Sequence, residues 1–349
     1  MIISIISFIV VFSVVILAHE FGHYYFSRRA GIKILELGLG FGPRIAGFVK
    51  EKTLYSLNVL PLGGFIRIAG INPEEETNDD QYSADESYVG KTPAQKFLSV
   101  FGGPLFNILL AFVIFYIMFV FTGVPKDISN EVAAVSPGSV AAAAGMKAGD
   151  RIIALSGKKI IKMTDAVDAI HKSAGKTLAI KIERGGRTLT MKVVPQLNKR
   201  LKIGLIGFSL KPIYAKTDPL TALIDSVEQV GVTIFAVLYT LGLLLIGKIS
   251  IFELAGPVGI AQFTGQVAGE GLAPLLSFTA FLSINLGLVN LLPIPALDGG
   301  RLVFIVIEGI RKKAVDIKLE NKIHQIGFTI LLAFMAIVTM NDIFRIFRR

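Results

Sequence analysis

Apolar runs long enough to cross a lipid bilayer alternate along this chain with stretches of different pattern. Ile2–Phe26 is apolar except for His19, Glu20 and His23 near its end. At ~1.5 Å per residue such a helix crosses a hydrocarbon core of ~30 Å. Pro104–Thr122 is a second run, opened by "GGP", with Pro104 suited to a first helical turn. A third extends from Leu275 to Leu292 and leads into "NLLPIPALDGGR", and a fourth covers Ile326–Met340. Between the first two lie "GLGFGPRIAGF" and "KTLYSLNVLPLGGFIRIAG", Gly-punctuated and partly alternating, which predict short strands and turns. The acidic "NPEEETNDDQYSADESY" that follows predicts a mobile segment.

After the second run comes a module over Asp127–Pro195. "NEVAAV", "DRIIAL", "KTLAIKIE" and "RTLTMKVV" predict strands, and "SPGSVAAAAGMKAGD" and "TDAVDAIHKS" predict two short helices. Val230–Ile246 is also apolar, but its length is borderline for a crossing. A fifth crossing there would put "LDGG" across the membrane from "HEFGH", whereas an interfacial helix brings both motifs to one side. The expectation is therefore a polytopic α-helical membrane protein of about four spans, with a membrane-associated β-element and an inserted β-rich domain. Its divisions are an N-terminal membrane part (1–122), the β-rich domain (123–200), a linker with an amphipathic or interfacial helix (201–274) and a C-terminal membrane part (275–349).

Composition agrees with a membrane protein. Of 349 residues 52% are hydrophobic, and the mean hydropathy is +0.64. The first run lacks a basic leader and an A-x-A site, which argues against a cleaved signal peptide. The net charge of +10 does not point to nucleic acid, because much of the Lys and Arg lies in short loops beside apolar runs and there is no base-reading motif. Arg28, Arg29 and Lys33 after the first span, and Arg301, Arg311, Lys312 and Lys313 after the third, mark those sides as cytoplasmic. The N-terminus and the β-rich domain are then outside, although Arg345, Arg348 and Arg349 also end outside, against the rule.

Cysteine is absent, so disulfides, thiolate nucleophiles and Cys-based zinc sites are excluded, and any metal must be held by His, Asp or Glu. The chain has four histidines, two of them in "HEFGH". On a helix, residues four apart share a face, so His19 and His23 can grip one cation. Glu20 sits beside that face and can accept a proton from a water activated by the ion, then return it to a leaving amine. Ionisable groups at membrane depth are costly and usually functional, which weighs against a mere polar packing patch. A third ligand is needed, with one position left open. His324 and Glu308 are conceivable, but each lies in or near a charged loop. Asp298 is better placed, because Pro293 and Pro295 interrupt the helix and Gly299–Gly300 permit a tight turn. His171 is expected as an exposed helix residue and His324 as an interfacial one.

Taken together, "HEFGH", "NLLPIPALDGG" and a PDZ-like module between the second and third spans resemble the site-2 protease family, most closely its bacterial RseP/RasP-type branch. "GLGFGP", "PLGGFIRIAG", "KTPAQKFLSVFGGPLFN" and "NDIFR" extend the resemblance over nearly the whole chain. The resemblance implies an intramembrane zinc endopeptidase in which His19, His23 and Asp298 bind Zn2+ and Glu20 is the base. It implies transmembrane substrates already shortened by another protease, such as anti-sigma factors or remnant signal peptides, and a place in the bacterial inner membrane. Asn290, Asn285 and Asn107 match family asparagines near the substrate, with ordinary interhelical hydrogen bonding as the plainer reading. Leu37–Ala69, with Gly63 and Gly64, matches a membrane-associated β-element whose edge can hold an unwound substrate by β-augmentation. Where some members carry tandem PDZ modules, this chain has room for one.

Two other readings compete. A membrane-anchored PDZ scaffold with a structural metal site has no need of Glu20. A metal transporter calls for polar residues along several spans, and the second and fourth hold almost none.

Overall fold

The computed structural model describes residues 2–71, 82–198, 202–250 and 254–347. Most of the acidic stretch expected to be mobile, residues 72–81, lies outside them. The chain forms two compact units, one of residues 1–118 and 223–349, the other Phe119–Ala222.

In the first unit, α1 (Ile2–Arg29) is apolar around its circumference and ends on two arginines before Gly31, whose φ of +68° stops the helix. Strands β1 (Ile34–Lys50) and β2 (Thr53–Ile68) follow, joined by Glu51 and Lys52, both at positive φ, a hairpin turn. The first half of β1 pairs on both sides: Leu39 is opposite Gly64 and Leu57, and Leu37 opposite Ile66 and Tyr55. So β1 and β2 both fold back on themselves, and the paired segments lie in the order 44–50, 53–58, 36–39 and 64–68. Ile34 and Ile68 of this element pack with Ile32, Val100, Leu302 and Ile305 in a buried core beside the site.

Helix α2 (Pro93–Thr122) starts well before the expected Pro104. Its start is set by a capping box: Thr92 Oγ1 accepts the Gln95 N–H at 3.4 Å, and Gln95 Oε1 accepts the Thr92 N–H at 3.1 Å. Pro104 is therefore inside the helix, where it cannot donate to the Val100 carbonyl. The hydropathy pattern located the apolar part and missed the polar turns before it.

The second unit is β-rich. It contains β3 (Val124–Val135), α3 (Val140–Ala143), β4 (Arg151–Leu155), β5 (Lys158–Lys159), α4 (Met163–His171), β6 (Leu178–Arg184), β7 (Arg187–Val193), β8 (Gln196–Asn198), β9 (Ile203–Leu205) and β10 (Phe208–Ala215). The main sheet has the order β10-β3-β4-β6-β7, with β5 on β4. Val132, Ile152, Ile180 and Ile182 alternate into its core against Ala141 and Ile170 of the two helices. The domain runs beyond the expected boundary at residue 200, because β10 pairs antiparallel with β3 from Phe208↔Val135 to Ala215↔Val124. Pro212 and the very short β8 and β9 obscure that strand in the sequence. Asp150, 1% exposed, takes two bonds from Arg184 at 2.6 and 2.7 Å, which together with the Lys147 N–H hold its carboxyl below the usual range.

Returning to the first unit, α5 (Pro219–Leu245), α6 (Pro257–Glu270), α7 (Leu272–Asn290), α8 (Asp298–Arg311) and α9 (Ile317–Phe347) complete the fold. Among the described residues, five helices are long and apolar enough to cross a membrane: α1, α2, α5, α7 and α9. That set includes α5, which the sequence pattern placed along the interface. Helix α9 begins before the expected Ile326, with the Asp316 side chain accepting the Lys318 N–H, and this puts His324 inside a helix.

Candidate metal centre

Two glycine contacts bring α1 and α2 together at the level of the histidines. A Cβ on Gly22 would lie 2.1 Å from the Gly102 carbonyl oxygen, and one on Gly102 2.5 Å from that of Gly22. A Cβ on Gly103 would lie 2.3 Å from His23 Nε2. Only glycine at these three positions lets the helix backbones and imidazoles approach so closely.

That approach fixes the histidines. His23 Nδ1 donates to the Ser99 carbonyl at 2.9 Å, so its Nε2 keeps a lone pair for an ion. His19 Nδ1 faces the Asn107 side-chain amide at 3.2 Å. Among the described residues the Asn107 amide oxygen has no other partner, and turned toward His19 it accepts the Nδ1 proton and leaves Nε2 free in the same way.

Asp298 arrives from the start of α8. Leu291–Leu297 breaks the helical path after α7, and Gly299 and Gly300 lie so tightly against it that a Cβ would fall 2.2 Å from Leu292 O and 2.4 Å from Ile294 O. Asp298 Oδ2 stands 3.0 Å from His19 Nε2 and 3.6 Å from His23 Nε2. One ligand atom from each of the three residues lies within 4.8 Å of the others. Asp298 Oδ2 is buried without a hydrogen-bond partner of good geometry among the described residues. Two imidazoles, a buried carboxylate oxygen and no thiolate make a donor set that suits Zn2+ and leaves a fourth position.

The three groups open on a cavity of about 420 Å³ whose wall also includes Glu20, Asn290, Ile66 and Arg67. Glu20 stands outside the ligand cluster, against β2, where Gly64 leaves room beside its side chain. Asn290 Nδ2 is 3.3 Å from His19 Nε2. Asn107, expected beside substrate, is fully buried behind His19. Asn285 is half-buried and does not line the cavity, and Gly63 packs on Ile16 of α1. His171 is half-buried, in a groove of the β-rich unit. Glu308 pairs with Lys96 at 2.9 Å, away from the ligand cluster. His324 belongs to the cavity wall and accepts the Ala296 N–H at 3.1 Å. The sequence carries no local signal for this, since the contact forms only when α9 lies on the turn before Asp298.

The family model described as "Peptidase family M50" matches residues 7–334. The zinc metalloprotease RasP of Geobacillus kaustophilus is 34% identical, over 99% of this chain and 98% of that protein. The regulator of sigma-W protease RasP of Bacillus subtilis is 32% identical, over 99% of each chain. Among solved structures, the PDZ domain of an SdrC-like protein from Listeria monocytogenes covers 24% of this chain and 90% of its own, at 24% identity and a TM-score of 0.22.

Proposed function

The chain belongs to peptidase family M50 and is an intramembrane zinc metalloprotease of regulated intramembrane proteolysis, and on that premise we propose how its own residues do the work. His19, His23 and Asp298 hold the zinc, and Glu20 is the general base. The observation that carries this is the convergence of three donor atoms within 4.8 Å from segments far apart in the chain. Bound there, zinc supplies Lewis-acid polarisation and lowers the pKa of water to about 7.

The protein's residues do the rest. Glu20 takes a proton from the attacking water at a carboxylate oxygen and delivers it to the amide nitrogen that leaves, so one water is consumed and one peptide bond becomes an acid and an amine. Asn107 and the Ser99 carbonyl keep the imidazoles in the ligating tautomer. A transmembrane helix must unwind before its peptide bonds can be attacked. Among the described residues the Gly64–Ile68 segment pairs with β1 on one side only, and Ile66, Arg67 and Ile68 line the cavity. Its other edge is placed to hold the unwound substrate as an added strand, with Asn290 at the metal end.

The reading includes four crossings. Gly265 packs on Ser4, and Asp342 accepts the Gly259 N–H at 2.7 Å, so α6 lies at the ends of α1 and α9 remote from the metal. By helical rise those ends are roughly 22–27 Å from the level of His19 and His324. If α5 crossed, residues 246–255 would have to recross in about 33–36 Å of fully extended chain, whose backbone polar groups lipid cannot satisfy. Charge in the short loops then puts the metal centre near the cytoplasmic face of a bacterial inner membrane and the PDZ-like domain outside.

Substrates are transmembrane proteins already cut by another protease, of the anti-sigma factor or remnant signal peptide type. The sigma-W role in the name of the Bacillus subtilis relative supports the former. Capture on the E20Q protein in its native membrane, followed by mass spectrometry, tests this: truncated single-span proteins should be enriched over wild type. Recovery of only full-length or soluble proteins contradicts it.

A further inference from the structure

One imidazole in the cavity wall has no part in the hydrolytic roles assigned above. His324, on α9, faces the turn that precedes Asp298. Its Nδ1 accepts the Ala296 N–H at 3.1 Å. Ala296 has a φ of +82°, in the left-handed region that residues with a side chain avoid unless their surroundings impose it. Helix α9 meets the same turn again at Gly327, where a Cβ would fall 2.5 Å from Pro295 Cβ. Phe304 of α8 flanks the imidazole, with ring centroids 6.0 Å apart. The hydrogen bond also fixes the tautomer. A neutral imidazole that accepts at Nδ1 carries its proton on Nε2, so neither nitrogen has a lone pair to give a metal.

We propose that His324 is a positioning residue: by holding the N–H of Ala296 it imposes the strained turn, and the turn sets where Asp298 presents its carboxylate. The inference rests on Asp298 being the third zinc ligand. It separates from two plainer roles. A packing residue is replaced by any apolar side chain of similar size, and a ligand is replaced by no amide. A positioning residue is replaced only by a side chain with an acceptor where Nδ1 stands. Asparagine can place its Oδ1 there, whereas glutamine extends to the Nε2 position and leucine has no acceptor.

The test uses full-length protein in detergent, with two readouts: zinc retained after dialysis against a chelator, and kcat and KM for a transmembrane reporter. H324L and H324Q should release zinc roughly tenfold faster than wild type and lose about tenfold in kcat with KM little changed, the scale of an outer-shell defect. H324N should stay within about threefold of wild type on both readouts, on that same scale. Because H324Q keeps a polar side chain, it stands in for H324L if the latter does not fold. Wild-type zinc retention in both H324L and H324Q overturns the proposal, as does an H324N defect as large as theirs. D298N is the control. If it retains zinc like wild type, the ligand assignment itself fails; if it loses zinc while H324L and H324Q do not, only the role of His324 fails.

Discussion

His23 Nδ1 donates to the backbone carbonyl of Ser99 at 2.9 Å, joining α1 to α2 directly behind the His19–His23–Asp298 cluster. A carbonyl can only accept, so this one bond fixes the imidazole's orientation and tautomer together. It exists because glycines let the two backbones touch.

Replacing Gly102 by alanine should break that arrangement. The added methyl meets the Gly22 carbonyl at 2.5 Å and must push the helices apart. The expected cost is about 1–3 kcal/mol in stability, with zinc affinity down roughly tenfold or more. Thermal unfolding and chelator competition measure the two effects. Alanine at Gly231, which has nothing within 4 Å, is the neutral control.

Asn107 tests the other imidazole. Asn107→Ala removes the partner of His19 Nδ1 and should weaken zinc binding about 10–100-fold, the range for outer-shell partners. Asn107→Asp keeps an acceptor on Nδ1 and should retain more zinc than the alanine variant in the same chelator titration.

The helical spacing of "HEFGH" and the proline- and glycine-broken approach to Asp298 made the candidate metal cluster legible in the sequence, because both are local patterns. What escaped depends on distant packing or on polar detail. The capping box at Thr92 and Gln95 lies outside the apolar run, so α2 looked shorter than it is. The bond from the Ala296 N–H to His324 forms only when α9 is laid on the turn before Asp298. The double pairing needs both β1 and β2 to fold back, which alternation alone does not encode. The β-rich domain was clear in its long strands and lost at β10, where a proline interrupts the pattern.

The Asp150–Arg184 pair gives the β-rich domain an acid sensitivity. The Asp150 carboxyl is held below its usual range by Arg184, so its contribution to stability is complete above the unfolded value of about 4 and declines as pH falls toward the folded value. Arg184→Ala should lower stability at neutral pH, because it leaves the Asp150 carboxylate with only the Lys147 N–H. The variant should also lose part of the pH dependence below 4. Hydrogen exchange of the β3–β7 amides in the intact protein reads both.

Crossing number is open to cysteine labelling, since the chain has no thiol of its own. Cysteine introduced at Ser250 should react with an impermeant reagent from outside the cell. Labelling only from the cytoplasm means that α5 crosses, and the four-span arrangement fails.

The most direct measurement compares Glu20→Gln with wild type for zinc content and for cleavage of a transmembrane reporter in reconstituted membranes. Glutamine has nearly the shape of glutamate and cannot take the proton. The expected result is zinc at the wild-type level with cleavage reduced at least about 100-fold, the low end for loss of a general base. Cleavage at the wild-type rate with zinc bound would show that Glu20 is not the base.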